Sequence, residues 1–187
     1  HPTLRRQRQM CIRDSPKRLN QELKDLGFHT VTIVDPGIKE DDNYPIHKQG
    51  KEGNVYLTYP DGSPWTADVW PGKSSFPDYT KPLARSWWAS QFAQLKQDGV
   101  AGFWNDMNEP ASWGQDTPNI VQFDWEGEGT SHKEGRNVYG MQMSRATYEG
   151  ARQSSNGERP FILTRATYAG GQRFAAKWTG DNVASNE

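Results

Sequence analysis

The chain has 187 residues, of which 33% are hydrophobic and 12% aromatic, with eight Trp and a formal net charge of −1. That length holds either one domain or a piece of an α/β barrel, whose full size is about 250 residues. A single cysteine excludes an internal disulfide framework, four scattered histidines have no zinc-ligand spacing, and no apolar run is long enough for a membrane-spanning helix.

The opening HPTLRRQRQMCIRD carries four arginines against one aspartate and has neither helical nor strand period. It lacks the aromatic interleaving and motifs of a nucleic-acid-binding segment. Residues 1–14 are therefore expected to be a non-native or disordered tail, and 15–187 the folded domain. No nucleic acid, membrane, metal or cofactor is expected as a partner.

From Ser15 the signals are regular. Ser15 as cap, Pro16 at the first helical position, Leu19, Leu23 and Leu26 on one face and Gly27 as terminator predict a helix over 16–26. FHTVTIV follows as a β-branched strand ending at Asp35-Pro36-Gly37. Residues 38–80 form a long polar stretch with a hairpin expected around Asp61-Gly62. Pro82 opens a second helix, with Ala84, Trp88, Phe92 and Leu95 on one face and Gly99 closing it. A strand over 100–105, a polar loop over 107–136, a helix over 137–155 and two short strands, FILT and AKWTG, complete the pattern.

Alternation of strands and helices predicts an α/β fold, and apolar strands without period-two patterning predict a parallel sheet covered on both faces. Four strands against the eight of a closed barrel imply a partial TIM (β/α)8 barrel with a long loop or hairpin insertion. In such barrels the chemistry gathers at the C-terminal strand ends, where Asp35, Asp106, Arg165 and Asp181 all fall. Two carboxylates beside an arginine and several Trp fit glycoside cleavage. The competing reading makes Asp106 a turn cap and Asp181 the start of an Asx turn with Asn182.

GFWNDMNEP and LTRATYAGGQRFAAKWTGDNVAS, in this order, closely resemble the two signatures of glycoside hydrolase family 31, the retaining α-glucosidases. FHTVTIVDPGIK and VWPGKSSFPDYT resemble it as well, so the likeness covers nearly everything from Ser15 onward. It implies that Asp106 is the nucleophile, Asp181 the general acid/base and Arg165 a sugar-binding residue. Trp70, Trp104, Met107 and Trp178 would line the same subsite. Asp35 would either touch sugar or support its turn and Arg165, and Glu109 would be an acceptor behind the reacting groups. Arg173 is left open as a pocket residue or a partner of Asp106 or Asp181.

The implied substrate is an α-linked oligosaccharide or glucoside, cleaved with retention by carboxyl groups about 5–5.5 Å apart. Asp181 would then need to be held protonated by burial or by the Asp106 charge. Two family elements have no counterpart in this sequence: an Asp-Ile-Asp-Tyr-like segment before the first strand and a sugar-binding histidine after the general acid. The chain is accordingly expected to hold the third to sixth barrel strands, with open sheet edges and little turnover alone. An α-xylosidase or α-galactosidase-like relative, or a non-catalytic glycan-binding fragment, are the alternatives.

Overall fold

The computed structural model describes residues 15–114, 116–181 and 183, so the tail expected over 1–14 lies outside the described residues. In chain order the elements are α1 (Pro16–Asp25), β1 (Val31–Val34), β2 (Ile38–Lys39), α2 (Pro45–Glu52), β3 (Thr66–Val69), β4 (Gly72–Ser75), α3 (Pro82–Ser90), α4 (Phe92–Gln97), β5 (Gly102–Asn105), β6 (Gln122–Phe123), β7 (Thr130–Ser131), α5 (His132–Gln153), β8 (Phe161–Thr164) and β9 (Ala176–Lys177).

Four of the strands form one parallel sheet in the order β1-β5-β8-β9. Its register aligns Val31 with Gly102 and Phe161, and Ile33 with Trp104, Leu163 and Ala176. Because side chains alternate along a strand, these residues share one face. Val31, Ile33 and Phe161 on that face are 43%, 52% and 54% exposed. On the opposite face Phe103, Asn105, Ile162 and Thr164 are buried beneath the helices. The sheet expected to be covered on both faces is therefore covered on one among the described residues. Four strands cannot curl into a ring, and the face that a closed barrel turns inward stays open.

The covered side is an aromatic core. Phe92 meets Phe103 edge-on with centroids 4.7 Å apart, and Tyr79 contacts both Trp88 and Tyr139 in the same way. Trp88 adds a buried hydrogen bond from its indole to Thr147 Oγ1 (2.9 Å), tying α3 to α5. Gly150 lets α5 approach α3 this closely, since a Cβ there would overlap the Ala89 backbone.

Several boundaries differ from those expected, each for a local reason. In α1 the cap forms as read, Ser15 Oγ accepting from the Arg18 N–H (3.2 Å), but Leu26 is 73% exposed. The buried residue of α1 is Asn20, which donates to the Asp98 carbonyl (2.7 Å). The helix expected from Pro82 to Gly99 is broken at Gln91. There the Ser90 hydroxyl and the Gln91 amide both donate to the Trp87 carbonyl, competing with the helical backbone bond. Helix α5 starts at His132 rather than 137, because its first turn is polar and carries no apolar period.

The stretch 38–80 contains the unanticipated α2 and a three-stranded antiparallel sheet, β2-β4-β3. The chain does turn at Asp61-Gly62, but Pro60 and Pro64 deprive the flanks of donors and only isolated bridges form. The ladder instead closes around the two-residue loop Trp70-Pro71, since Val69 pairs with Gly72. Asp78 fastens this insertion to the barrel segment: one carboxylate oxygen accepts from the Thr80 N–H and hydroxyl, the other from the Asp124 N–H (2.6 Å).

Candidate active site

The sheet register decides what meets at its C-terminal edge. Val34, Asn105, Thr164 and Lys177 pair in sequence across the four strands. The next residues, Asp35, Asp106, Arg165 and Trp178, therefore form a row one step beyond the ladder, on the open face, about 4.8 Å from strand to strand. A buried strand ends in a carboxylate because its next outward position opens on this edge.

Arg165 is the hub of the row. Its Nη1 lies 3.1 Å from Asp106 Oδ1, while Nε and Nη2 donate to the two oxygens of Glu109 at 3.0 and 2.9 Å. The hydrogen bonds it donates to Glu109 are the main reason the guanidinium pKa is raised, with the Asp106 and Asp181 charges adding to it against burial. Met107 adopts a left-handed backbone (φ 54°) directly after Asp106. That turn lets its N–H bond Asp106 Oδ1 (2.9 Å) and puts its sulfur 3.2 Å from Arg165 Nη2. One oxygen of Asp106 thus accepts the Met107 N–H and pairs with the Arg165 cation.

Asn108 braces this edge from below. Fully buried, it donates from Nδ2 to Thr164 Oγ1 (2.9 Å) and to the Ala166 carbonyl (3.3 Å), and accepts from the Ala166 N–H (3.0 Å). It locks the end of β5 to the end of β8, and hence Asp106 to Arg165. The sequence reading did not single out Asn108; its position in the polar run after a buried strand was the available signal.

Asp35 is half-buried, and its Oδ1 is buried with no hydrogen-bond partner among the described residues. Burial raises its pKa above the ordinary carboxylate range and the Asp106 charge raises it further, with Arg165 opposing. Asp181 is exposed, four residues beyond the last residue of β9, and its charge reaches Arg165.

The aromatic residues fall into two pairs. Trp104, on the open face, meets Trp178 edge-on at 5.3 Å, and Trp178 is anchored by its N–H on the Thr164 carbonyl (3.3 Å). Trp70, on the β3–β4 turn, is 70% exposed and meets Trp113 edge-on at 4.9 Å. Trp113, which the sequence reading passed over, is fixed by its N–H on the Asp68 carbonyl (2.9 Å). Arg173 stands apart from the charged row: its Nε donates to the Gly170 carbonyl (3.0 Å) and its guanidinium covers the Phe174 ring. Among the described residues, no group of three or more His, Cys, Asp or Glu is placed to hold a metal ion.

The profile of the glycosyl hydrolases family 31 TIM-barrel domain matches residues 11–187. The chain is 44% identical over 168 residues to alpha-glucosidase 2 of Bacillus thermoamyloliquefaciens, covering 89% of this chain and 21% of that protein. Human neutral alpha-glucosidase AB is 39% identical over 173 residues, 90% of this chain and 18% of its own length. Among solved structures, the glucosidase II alpha subunit with bound alpha3-Glc2 superposes with a TM-score of 0.81 at 36% identity, over 91% of this chain and 19% of that one. A family 31 alpha-glucosidase from Bacteroides thetaiotaomicron gives 0.72 at 41% identity, over 90% and 27% respectively. The chain thus spans about a fifth of the length of the curated relatives it matches. With its four-stranded parallel sheet and its profile match over 177 residues, the chain belongs to glycosyl hydrolase family 31 and forms part of that family's TIM-barrel domain.

Proposed function

We propose that the protein to which this segment belongs hydrolyses α-glucosidic bonds with retention of configuration, using Asp106 as nucleophile and Asp181 as general acid/base. The observation that carries this reading is the clamp on Asp106, in which Arg165 and the Met107 N–H hold Oδ1 and leave Oδ2 unengaged by either. A carboxylate fixed through one oxygen presents the other in a constant direction, as in-line attack at an anomeric carbon requires.

In the first step protonated Asp181 gives its proton to the glycosidic oxygen as the C1–O bond breaks, and Asp106 Oδ2 bonds C1 from the opposite face. In the second, Asp181, now a carboxylate, takes a proton from water whose oxygen bonds C1, and the Asp106 ester bond breaks to release α-glucose. Arg165 interacts with the leaving Asp106 carboxylate and with sugar hydroxyls. Trp70, Trp104, Met107 and Trp178 offer apolar faces that suit the C–H face of a pyranose. Glu109 holds Arg165 in place rather than attacking, since both of its oxygens are engaged by that guanidinium. Arg173 serves the β8–β9 loop.

Segment exchange tests the proposal. Residues 15–187 replace the matching segment of the Bacillus alpha-glucosidase 2, and hydrolysis of an aryl α-glucoside is followed by proton NMR. The expected result is α-glucose as the first-formed product, with a loss of at least about 10³-fold on Asp106→Asn. β-Glucose as first product, or full activity of that variant, rejects it.

A further inference from the structure

Asp35 raises a question the mechanism above leaves unused: what does a second carboxyl group do beside the nucleophile? In the sheet register it follows Val34, which pairs with Asn105, so Asp35 and Asp106 are neighbours in one row and on one face. Among the described residues Arg165 makes no hydrogen bond to it: Nε and Nη2 donate to Glu109, and Nη1 pairs with Asp106. One oxygen of Asp35 is buried without a described donor. Ionised, it would be a partly desolvated charge next to another of the same sign, which favours its protonated form.

The two carboxyl groups have different surroundings. Asp106 accepts the Met107 N–H and lies beside the Arg165 cation. Burial and the Asp106 charge favour the protonated form of Asp35, and of the charged groups around it only Arg165 opposes them. Glu109 is spent on Arg165, and the Asp181 charge likewise reaches that arginine.

We propose that Asp35 is a positioning residue for Asp106: in its protonated form its O–H is donated to the Asp106 carboxylate. This rests on the reading of Asp106 as nucleophile. With Arg165, Met107 and Asp35 all engaging it, the carboxylate has a single orientation. When Asp106 becomes esterified its charge disappears, and Asp35 loses the like charge that adds to burial in favouring its protonated form.

The pairing is measured on the 187-residue chain by ¹³C NMR titration of the aspartate carboxyl carbons. Asp35 is expected to titrate above the ordinary value of about 3.9, and to move back toward it in Asp106→Asn. Asp35 titrating at or below the ordinary value, or unmoved by Asp106→Asn, overturns the proposal.

In the segment-exchanged enzyme, Asp35→Asn is expected to keep kcat within about 3-fold, and Asp35→Ala to lower kcat at least 10-fold with KM little changed. Equal losses in both, or a loss confined to KM, would mean Asp35 binds sugar instead. If Asp35 and Asp106 titrate as a pair while Asp106→Asn keeps its activity, the functional reading fails but the shared proton stands. If Asp106→Asn is inactive while Asp35 titrates normally, the reverse holds.

Discussion

Arg165 reaches Asp106 and Glu109 with different nitrogens at once, Nη1 at 3.1 Å from the first carboxylate and Nε with Nη2 at 3.0 and 2.9 Å from the second. A planar fork can satisfy two acids from fixed directions, whereas an ammonium is a point charge without that geometry. Arg165→Lys in the segment-exchanged enzyme is therefore expected to lose about 10²-fold in kcat/KM despite keeping the charge. The check is steady-state kinetics with an aryl α-glucoside, with Glu109→Gln expected to fall by less because its amide still accepts one of the bonds.

Asn108 joins the end of β5 to the end of β8 and to α5, so truncating it leaves the Ala166 N–H without its partner. Asn108→Ala is expected to destabilise the fold by about 3 kcal/mol, read from the urea midpoint at unchanged slope. Asn108→Asp is expected to be worse at pH 7, since its carboxylate would face the Ala166 carbonyl that the amide now donates to.

Asp35 also makes a signed prediction for stability. Its folded pKa lies above its unfolded one, chiefly through burial, so the native state binds the extra proton and stability falls as pH rises through that range. Replacing it with Asn removes the ionisable group. The variant is expected to have a higher melting temperature than wild type at pH 7 and the same one below about pH 3.5, measured by circular dichroism.

His132, buried at the start of α5 against the Phe123 ring, has the opposite sign. Burial lowers its pKa and the Arg136 charge lowers it further, against Asp116. Its stabilising contribution is complete above the ordinary value of about 6.5 and is lost as the pH drops through that value to the lower folded pKa. His132→Gln is expected to flatten the fall in stability between about pH 6.5 and 5, seen in denaturant midpoints across that range.

Trp70 and Trp113 meet edge-on above the insertion, and each restricts the other. Alanine at either position is expected to weaken binding of a glucosidase inhibitor such as deoxynojirimycin by similar amounts in the segment-exchanged enzyme. The double variant is expected to lose less than the sum, with a coupling of about 1 kcal/mol by calorimetry.

The parallel barrel strands and the charged edge were legible because each depends on local signals. Ser15 and Pro16 start α1 where they stand, and the residues after β1, β5 and β8 are Asp35, Asp106 and Arg165 in any register that aligns those strands. What was not legible depends on contacts distant in sequence. The break at Gln91 depends on two side chains competing for one carbonyl, and the partnership of Trp113 with Trp70 depends on how the insertion folds back. The exposed Leu26 shows the same limit: a helical apolar stripe says which face could be buried, while the neighbours decide whether it is.

The identity of the nucleophile is read most directly from a trapped intermediate. Incubating the segment-exchanged enzyme with 5-fluoro-α-glucosyl fluoride and mapping the modified peptide by mass spectrometry reads it without assuming any rate. A single glucosyl adduct on Asp106, absent in Asp106→Asn, is the predicted result. An adduct on Glu109 or another residue, or turnover without any covalent intermediate, would contradict it.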